Sequence, residues 1–255
     1  MRYCEELMRK FKILLTNDDG YTAEGIRALY KVLKDEYDIY LVAPETEQSG
    51  FSHKITLKIP LHLQKISKSG CEGFKLNGTP TDCVKLALQN LYKGEIDLVL
   101  SGINRGSNNG ISVHYSGTVA AIVEGKFYGK AGVAVSLFSY TDEKFDTAAE
   151  FIKKFLDKHI ETIVERGSLL NINIPDLESY SFDNISYCNQ GLCNFNGDYR
   201  FIEHLGRQFY WADGPEKEVD PKRFDDDSEI LKNRITITPL KVDLTDYEEL
   251  EYWKR

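Results

Sequence analysis

Two adjacent carboxylates, Asp18 and Asp19, follow the apolar run Ile13-Leu14-Leu15-Thr16 and precede Gly20. Two negative charges facing one partly dry crevice repel each other, and a divalent cation neutralises both. Carboxylate oxygens are hard ligands that suit magnesium or manganese, whose near-octahedral shell leaves positions for water and a substrate phosphate. Asp-Asp-Gly alone is most often a solvated turn. Its place at the carboxyl end of a buried strand makes it a candidate metal site.

Two further loops carry groups of matching chemistry. Pro44-Glu45-Thr46-Glu47-Gln48-Ser49-Gly50-Phe51-Ser52-His53 also follows a buried apolar run, so Ser49 and His53 are expected at the same crevice, where a hydroxyl ligates metal or phosphate. A serine beside glycine is ordinarily turn chemistry and a lone histidine is ordinarily packing, so neither stands by itself. In the third loop Asn104 follows strand and glycine, and Ser116-Gly117-Thr118 opens a helix. A helix start offers free N–H groups and a positive dipole end, which together suit phosphate, although Ser or Thr there is most often only a cap. Neither Gly-x-Gly-x-x-Gly, Gly-x-x-x-x-Gly-Lys-Ser/Thr nor Gly-x-Ser-x-Gly occurs, which removes the main warrant for dinucleotide, P-loop and serine-hydrolase readings.

The elements that must position these loops alternate along the chain. Ile26, Leu29, Tyr30 and Leu33 recur at helical spacing between Thr22 and Glu36, and Ile39 to Ala43 reads as a second buried strand. Thr79-Pro80 with Asp82 forms a capping box for a helix to about Tyr92, followed by a strand at Ile96–Leu100 and a polar loop from Ser101 to Thr118. A small-residue helix from Val119 to Phe127, a strand at Val133–Leu137 and an amphipathic helix from Phe145 to His159 complete the series. The pattern predicts an α/β fold, a Rossmann-like, mostly parallel sheet with helices on both faces, binding ligands beyond the strands' carboxyl ends. One domain is expected over 1–255: a core at 11–165, then at 166–255 a strand (Leu169–Ile174), β-hairpin arms around Phe209-Tyr210-Trp211, an acidic run Asp225-Asp226-Asp227, a strand Ile235–Thr238 and a terminal helix. Protruding arms of this kind often pair subunits, so a homodimer, or a tetramer through the arms, is expected.

Composition narrows the partners. The chain has 255 residues, 42% hydrophobic content and a formal net charge of −8, which repels duplex nucleic acid overall. No stretch approaches the roughly 20 apolar residues of a membrane span, and the N-terminus lacks the apolar core of a signal peptide. A cytoplasmic protein is expected. The 5 cysteines are odd in number, scattered and without a C-x-x-C pair, which reads as reduced thiols. Met8 opens a second plausible start, directly before the first strand.

Taken together the loops resemble the survival protein E (SurE) family of metal-dependent nucleotidases. The resemblance is carried by Ile13-Leu14-Leu15-Thr16-Asn17-Asp18-Asp19-Gly20, Ala43-Pro44 with Glu47-Gln48-Ser49-Gly50, Asn77-Gly78-Thr79-Pro80 with Asp82-Cys83-Val84-Lys85, and Ser101-Gly102-Ile103-Asn104-Arg105-Gly106 running into His114-Tyr115-Ser116-Gly117-Thr118. Weaker echoes are Asn171-Ile172-Asn173-Ile174-Pro175 and Thr238-Pro239-Leu240 with Asp243-Leu244-Thr245-Asp246. The family's metal site falls on Asp18, Asp19, Ser49 and Asn104. The resemblance implies a phosphatase acting on nucleoside 5′-monophosphates, often also 3′-monophosphates, and sometimes on short polyphosphate. Phe51-Ser52 and Ile111-Ser112 depart from common family residues and bear on substrate preference.

On this reading a divalent cation, Mg2+ or Mn2+, sits on Asp18, Asp19, Ser49 and Asn104, binds a phosphate oxygen and lowers the pKa of water. Ser116, Gly117, Thr118, Asn108 and the Ser49 hydroxyl are expected to cradle phosphate. Asn17, His53 and His114 are candidates for orienting water or protonating the leaving alkoxide. Two rivals differ in kind: an aspartyl-phosphate phosphatase with Asp18 as nucleophile, which usually spaces its two aspartates by one residue, and a nucleotide-binding regulator without catalysis.

Overall fold

The structure, a computed structural model, describes residues 9–66, 70–139, 144–192, 199–212 and 219–255. The second start at Met8, Cys4 and Cys193 lie outside them.

The first strand, β1 (Lys12–Thr16), pairs in parallel with β2 (Asp38–Pro44) on one side and β5 (Leu98–Arg105) on the other. Helix α1 (Glu24–Leu33) carries the chain from β1 to β2. Helix α2 (Pro80–Leu86), continued by a π turn over Ala87–Leu91, leads into β5 on β1's other flank. The connections thus diverge from β1, and the crevice between the carboxyl ends of β1 and β5 is a topological switch point. Asp18 and Asp19 leave β1 into that crevice.

The remaining strands are β3 (Leu63–Ile66), β4 (Gly73–Leu76), β6 (Ala131–Phe138), β7 (Leu169–Pro175), β8 (Ile185–Tyr187) and β11 (Ile235–Pro239). With the first three they form a 9-stranded sheet in the order β3-β4-β2-β1-β5-β6-β7-β11-β8. Its centre is parallel, whereas β3 on β4 and β11 on β7 run antiparallel. Strand alternation sends side chains to opposite faces. Ile13 and Leu15 join Ile26 and Leu29 of α1 and Ile152 and Phe155 of α4 (Phe145–Arg166). Leu14 joins Val84 of α2 and Val119 and Ile122 of α3 (Gly117–Phe127) on the other face. Both faces of the central strands are therefore covered, which is why those strands read as unbroken apolar runs.

The expected α/β architecture is present, with several differences. Strand β5 does not stop at Leu100. It continues to Arg105 because β6 continues opposite it, pairing Asn104 with Ser136 and Arg105 with Leu137 after a register shift. The functional loop therefore begins at Gly106, and Asn104 is a strand residue. Helix α4 runs on to Arg166, where Gly167 takes a left-handed conformation (φ 58°) and stops it. Strands β3, β4 and β8 were not expected, since short mixed-polarity edge segments carry little periodic signal. The C-terminal half is not simply a set of hairpins: β11 lies within the main sheet between β7 and β8. The acidic run is no solvated stretch either. Asp225 caps the buried short helix α5 (Asp226–Ile230), with Ser228 completing a capping box. One hairpin, β9 (Tyr199–His204) with β10 (Arg207–Ala212), does stand apart as a 2-stranded ribbon, and an exposed terminal helix, α6 (Tyr247–Trp253), follows.

Candidate active site

The turn after β1 is closed from within. Nδ2 of Asn17 donates to the Gly20 carbonyl at 2.9 Å, leaving Asn17 Oδ1 buried without a partner. Gly20 takes a positive φ of 95°, and a side chain there would lie 3.4–3.6 Å from the backbone of Thr46, Glu47 and Pro44. This close approach brings the second loop over the first: the Gln48 N–H donates to the Asp18 carbonyl at 2.7 Å, and Tyr21 N–H to the Pro44 carbonyl at 2.9 Å.

Asp18 is almost wholly buried. Burial pushes its carboxyl above the usual carboxylate range; the Thr118 hydroxyl, its own amide and the amides of Thr118 and Gly117 hold it back. The start of α3 thus points at Asp18, whose negative charge complements the helix dipole. Ser116 is the N-cap, its Oγ accepting from the Val119 N–H at 3.1 Å. Three of the residues expected to cradle phosphate, Ser116, Gly117 and Thr118, are together, but in this structure Gly117 and Thr118 turn their donors to the first aspartate. A Cβ on Gly117 would meet Asp18 Cβ at 2.8 Å.

Asp19 is held by the Arg105 N–H, which donates to its Oδ2 at 3.1 Å. Its carboxyl is pushed up to about 6, first by burial and then by the charge of Asp18, with the Arg105 amide opposing. The charge of Glu47 adds to the rise and that of Arg105 opposes it more weakly, so two desolvated carboxylates stand side by side in this crevice. Asn104 lies near the end of β5, next to Arg105, whose N–H holds Asp19. Its Nδ2 donates to the carbonyls of Arg105 and Gly106 at 3.0 and 2.8 Å, leaving Oδ1 without a hydrogen bond. Among the described residues no group of three or more His, Cys, Asp or Glu side chains is placed to hold a metal. A cation at this crevice would be held by two carboxylates and neutral oxygens, a donor set that suits a hard divalent ion.

Ser49 is exposed, with no hydrogen bond to its side chain, on a loop pinned at both ends. One end is the Gln48–Asp18 bond; at the other, Ser52 Oγ donates to the His114 carbonyl at 2.6 Å and Ser52 N–H to the Tyr115 carbonyl at 3.1 Å. His114 is exposed on the strap between β5 and α3. His53 does not face the carboxylates as expected. Its Nε2 lies 2.9 Å from Glu124 Oε2, and its ring stacks on Phe127, so it anchors the second loop to the far half of α3.

Asn108 sits on the strap, its Nδ2 donating to Ser136 Oγ at 2.7 Å. The strap's next residues are tied to α5: the Gly110 N–H donates to Asp226 Oδ1 at 3.1 Å and Asn109 Nδ2 to Asp227 Oδ1 at 2.6 Å. Sequence reading did not assign Asp226 and Asp227 this task, because an acidic run looks the same whether solvated or accepting amides. A cavity of about 290 Å³ opens beside Asp19, lined by Thr22, Glu24, Glu47, Arg105 and Phe145. Phe145 carried no signal beyond its place in an amphipathic helix.

Residues 13–196 match the family model described as "Survival protein SurE". A relative named 5′-nucleotidase SurE from Heliobacterium modesticaldum is 38% identical over 248 residues, covering 95% of this chain and 91% of the relative. One of the same name from Rhodopirellula baltica is 40% identical, covering 92% and 94%. The crystal structure of the SurE protein from Aquifex aeolicus superposes with a TM-score of 0.83 at 33% identity, covering 96% of this chain and 100% of that one. With sequence and fold matched across nearly its whole length, the chain belongs to the SurE survival protein family.

Proposed function

We propose that this protein is a divalent-metal-dependent nucleotidase that hydrolyses the phosphomonoester of nucleoside 5′-monophosphates, with 3′-monophosphates and short polyphosphate as further substrates. The observation that carries the reading is the desolvated pair Asp18 and Asp19 at the switch point, with Asn104 on the adjoining end of β5. Relatives named 5′-nucleotidase support the substrate class.

Asp18, Asp19, Asn104 and the Ser49 hydroxyl would hold Mg2+ or Mn2+. When bound, that ion offsets the charge of the phosphate oxygens and lowers the pKa of water. The chain's own residues do the rest. Thr118 and the start of α3 orient Asp18, and the Arg105 amide orients Asp19. Ser116, Gly117, Thr118 and Asn108 border the phosphate, the nucleoside extending toward the cavity beside Asp19. Asn17, whose buried Oδ1 lacks a partner, would orient water, and the exposed imidazole of His114 would protonate the leaving alkoxide. Incubation with a panel of nucleoside monophosphates should release inorganic phosphate with added manganese or magnesium and none under chelator. Phosphate release that persists in chelator would defeat the metal, and no release with any ion would leave a binding protein.

The same reading places the protein in the cytoplasm as a homodimer or tetramer. Cys71, Cys83 and Cys188 are free and buried, which suits a reducing compartment, and among the described residues no helix is long and apolar enough to cross a membrane. The β9–β10 ribbon exposes Phe201, Phe209, Tyr210 and Trp211, and an isolated two-stranded ribbon is marginally stable in water. A second copy of the chain is the occupant that covers it. Light scattering should give a multiple of 29.2 kDa that falls toward one chain on Phe201→Lys with Tyr210→Lys. A parent chain already at the single-chain mass would exclude the arm's role.

A further inference from the structure

Asn171 and Asn173 stand two residues apart on β7, so both point to one face of the sheet, and both are wholly buried. Buried carboxamides in a strand otherwise rich in Leu and Ile cost desolvation unless a polar partner lies over them. That partner is the backbone of Asn108. Nδ2 of Asn171 donates to the Asn108 carbonyl at 2.7 Å, and Oδ1 of Asn173 accepts from the Asn108 N–H at 2.7 Å. The two side chains therefore treat residue 108 as an adjacent strand would, taking both its N–H and its C=O. Residues 107–109 have no regular structure of their own, so these bonds replace the ladder they lack. Ser136, paired in register with Asn173 across β6 and β7, takes the Asn108 side chain. A hydroxyl donates as readily as it accepts, so the Asn108 carboxamide keeps this bond while presenting either Nδ2 or Oδ1 outward.

We propose that Asn171 and Asn173 are positioning residues for phosphate binding: they seat Asn108, and with it the strap between Asn104 and Ser116, on the rigid face of β7. This rests on the nucleotidase reading for its consequence, but not for the clamp itself. The two can be tested separately. In Asn173→Leu, hydrogen exchange at the Asn108 amide should accelerate roughly tenfold or more, since its acceptor is gone. In Asn171→Leu and Asn173→Leu the KM for adenosine monophosphate should rise about tenfold or more, with the manganese concentration for half-activation unchanged. Asn108→Ala combined with Asn171→Leu should lose clearly less than the product of the two single losses, because Asn171 acts in large part through the Asn108 side chain. Asn173→Asp keeps the acceptor for the Asn108 N–H, so it should retain more activity than Asn171→Asp, which sets a carboxylate against a carbonyl. Unchanged exchange, an unchanged KM, or losses that simply multiply with Asn108→Ala would each overturn the proposal. Accelerated exchange in Asn173→Leu, with a parent chain that releases no phosphate, would confirm the clamp but overturn its catalytic role together with the nucleotidase reading.

Discussion

Asp19→Asn should lower metal-dependent phosphate release by on the order of 10³-fold, about 4 kcal/mol of barrier, and should not unfold the protein. The side chain keeps its size and the oxygen that accepts from the Arg105 N–H. What it loses is the charge. In the parent chain that charge is desolvated and set beside Asp18, which is why the carboxyl is pushed up to about 6. In chelator, then, the variant should melt at a higher temperature than the parent, by roughly 1–3 kcal/mol of stability, because a largely desolvated charge beside Asp18 has become a neutral amide. Lost activity with gained stability is the signature of a cation site and not of a structural ion pair. Asp18→Asn should lose activity to the same extent. Full metal-dependent activity in Asp19→Asn would show that the ion, if there is one, sits elsewhere.

Gly117→Ala should cost about 10²-fold in activity and about 1–3 kcal/mol of stability. Alanine is the better helix former by about 1 kcal/mol, so the local backbone favours the change. The space does not: the new methyl would lie 2.8 Å from Asp18 Cβ and 3.0 Å from its Oδ2. Asp18 follows closely on β1, a strand paired on both sides, so relieving the overlap moves Asp18 and the start of α3 apart. A displacement near 1 Å is enough to misplace whatever Asp18 holds. Thr118→Val is the companion variant. It removes the hydroxyl that donates to Asp18 without crowding it, and should cost about tenfold or more, in the range of outer-shell partners. The comparison needs kcat, the metal half-activation concentration and a melting curve for each. If Gly117→Ala is fully active, the contact between α3 and Asp18 has no bearing on the chemistry.

Periodicity was enough to foresee the core. Ile13 to Thr16, Ile39 to Ala43 and Val133 to Leu137 are continuous apolar runs because their strands are covered on both faces, and Thr79, Pro80 and Asp82 announce a helix start through the same bonds that the structure contains. Both are local signals, written within a few residues. Asp18, Asp19, Ser49, Asn104 and the start of α3 were also nameable, since each lies at the carboxyl end of a strand or opens the next helix, where such a fold places its ligands. Motif blocks then tied them to one family.

Which of those residues meet was settled by tertiary structure. His53 and Ser49 share a loop, yet the bond to Glu124, a residue of α3, holds the histidine at that helix. Thr118 reads as a phosphate ligand or a cap, and it is the packing of α3 on β5 and β6 that points it at Asp18. Asn171 and Asn173 look like misplaced polar residues in an apolar strand until the strap crosses above them, and Asp226 looks like part of a solvated run until Gly110 and Gly191 donate to it. The difference is one of range. Apolar periodicity and capping follow from neighbours along the chain, which the amino-acid order specifies directly. A carboxylate or carboxamide acquires its task from partners up to 100 residues away or more, and those are chosen by how the layers pack.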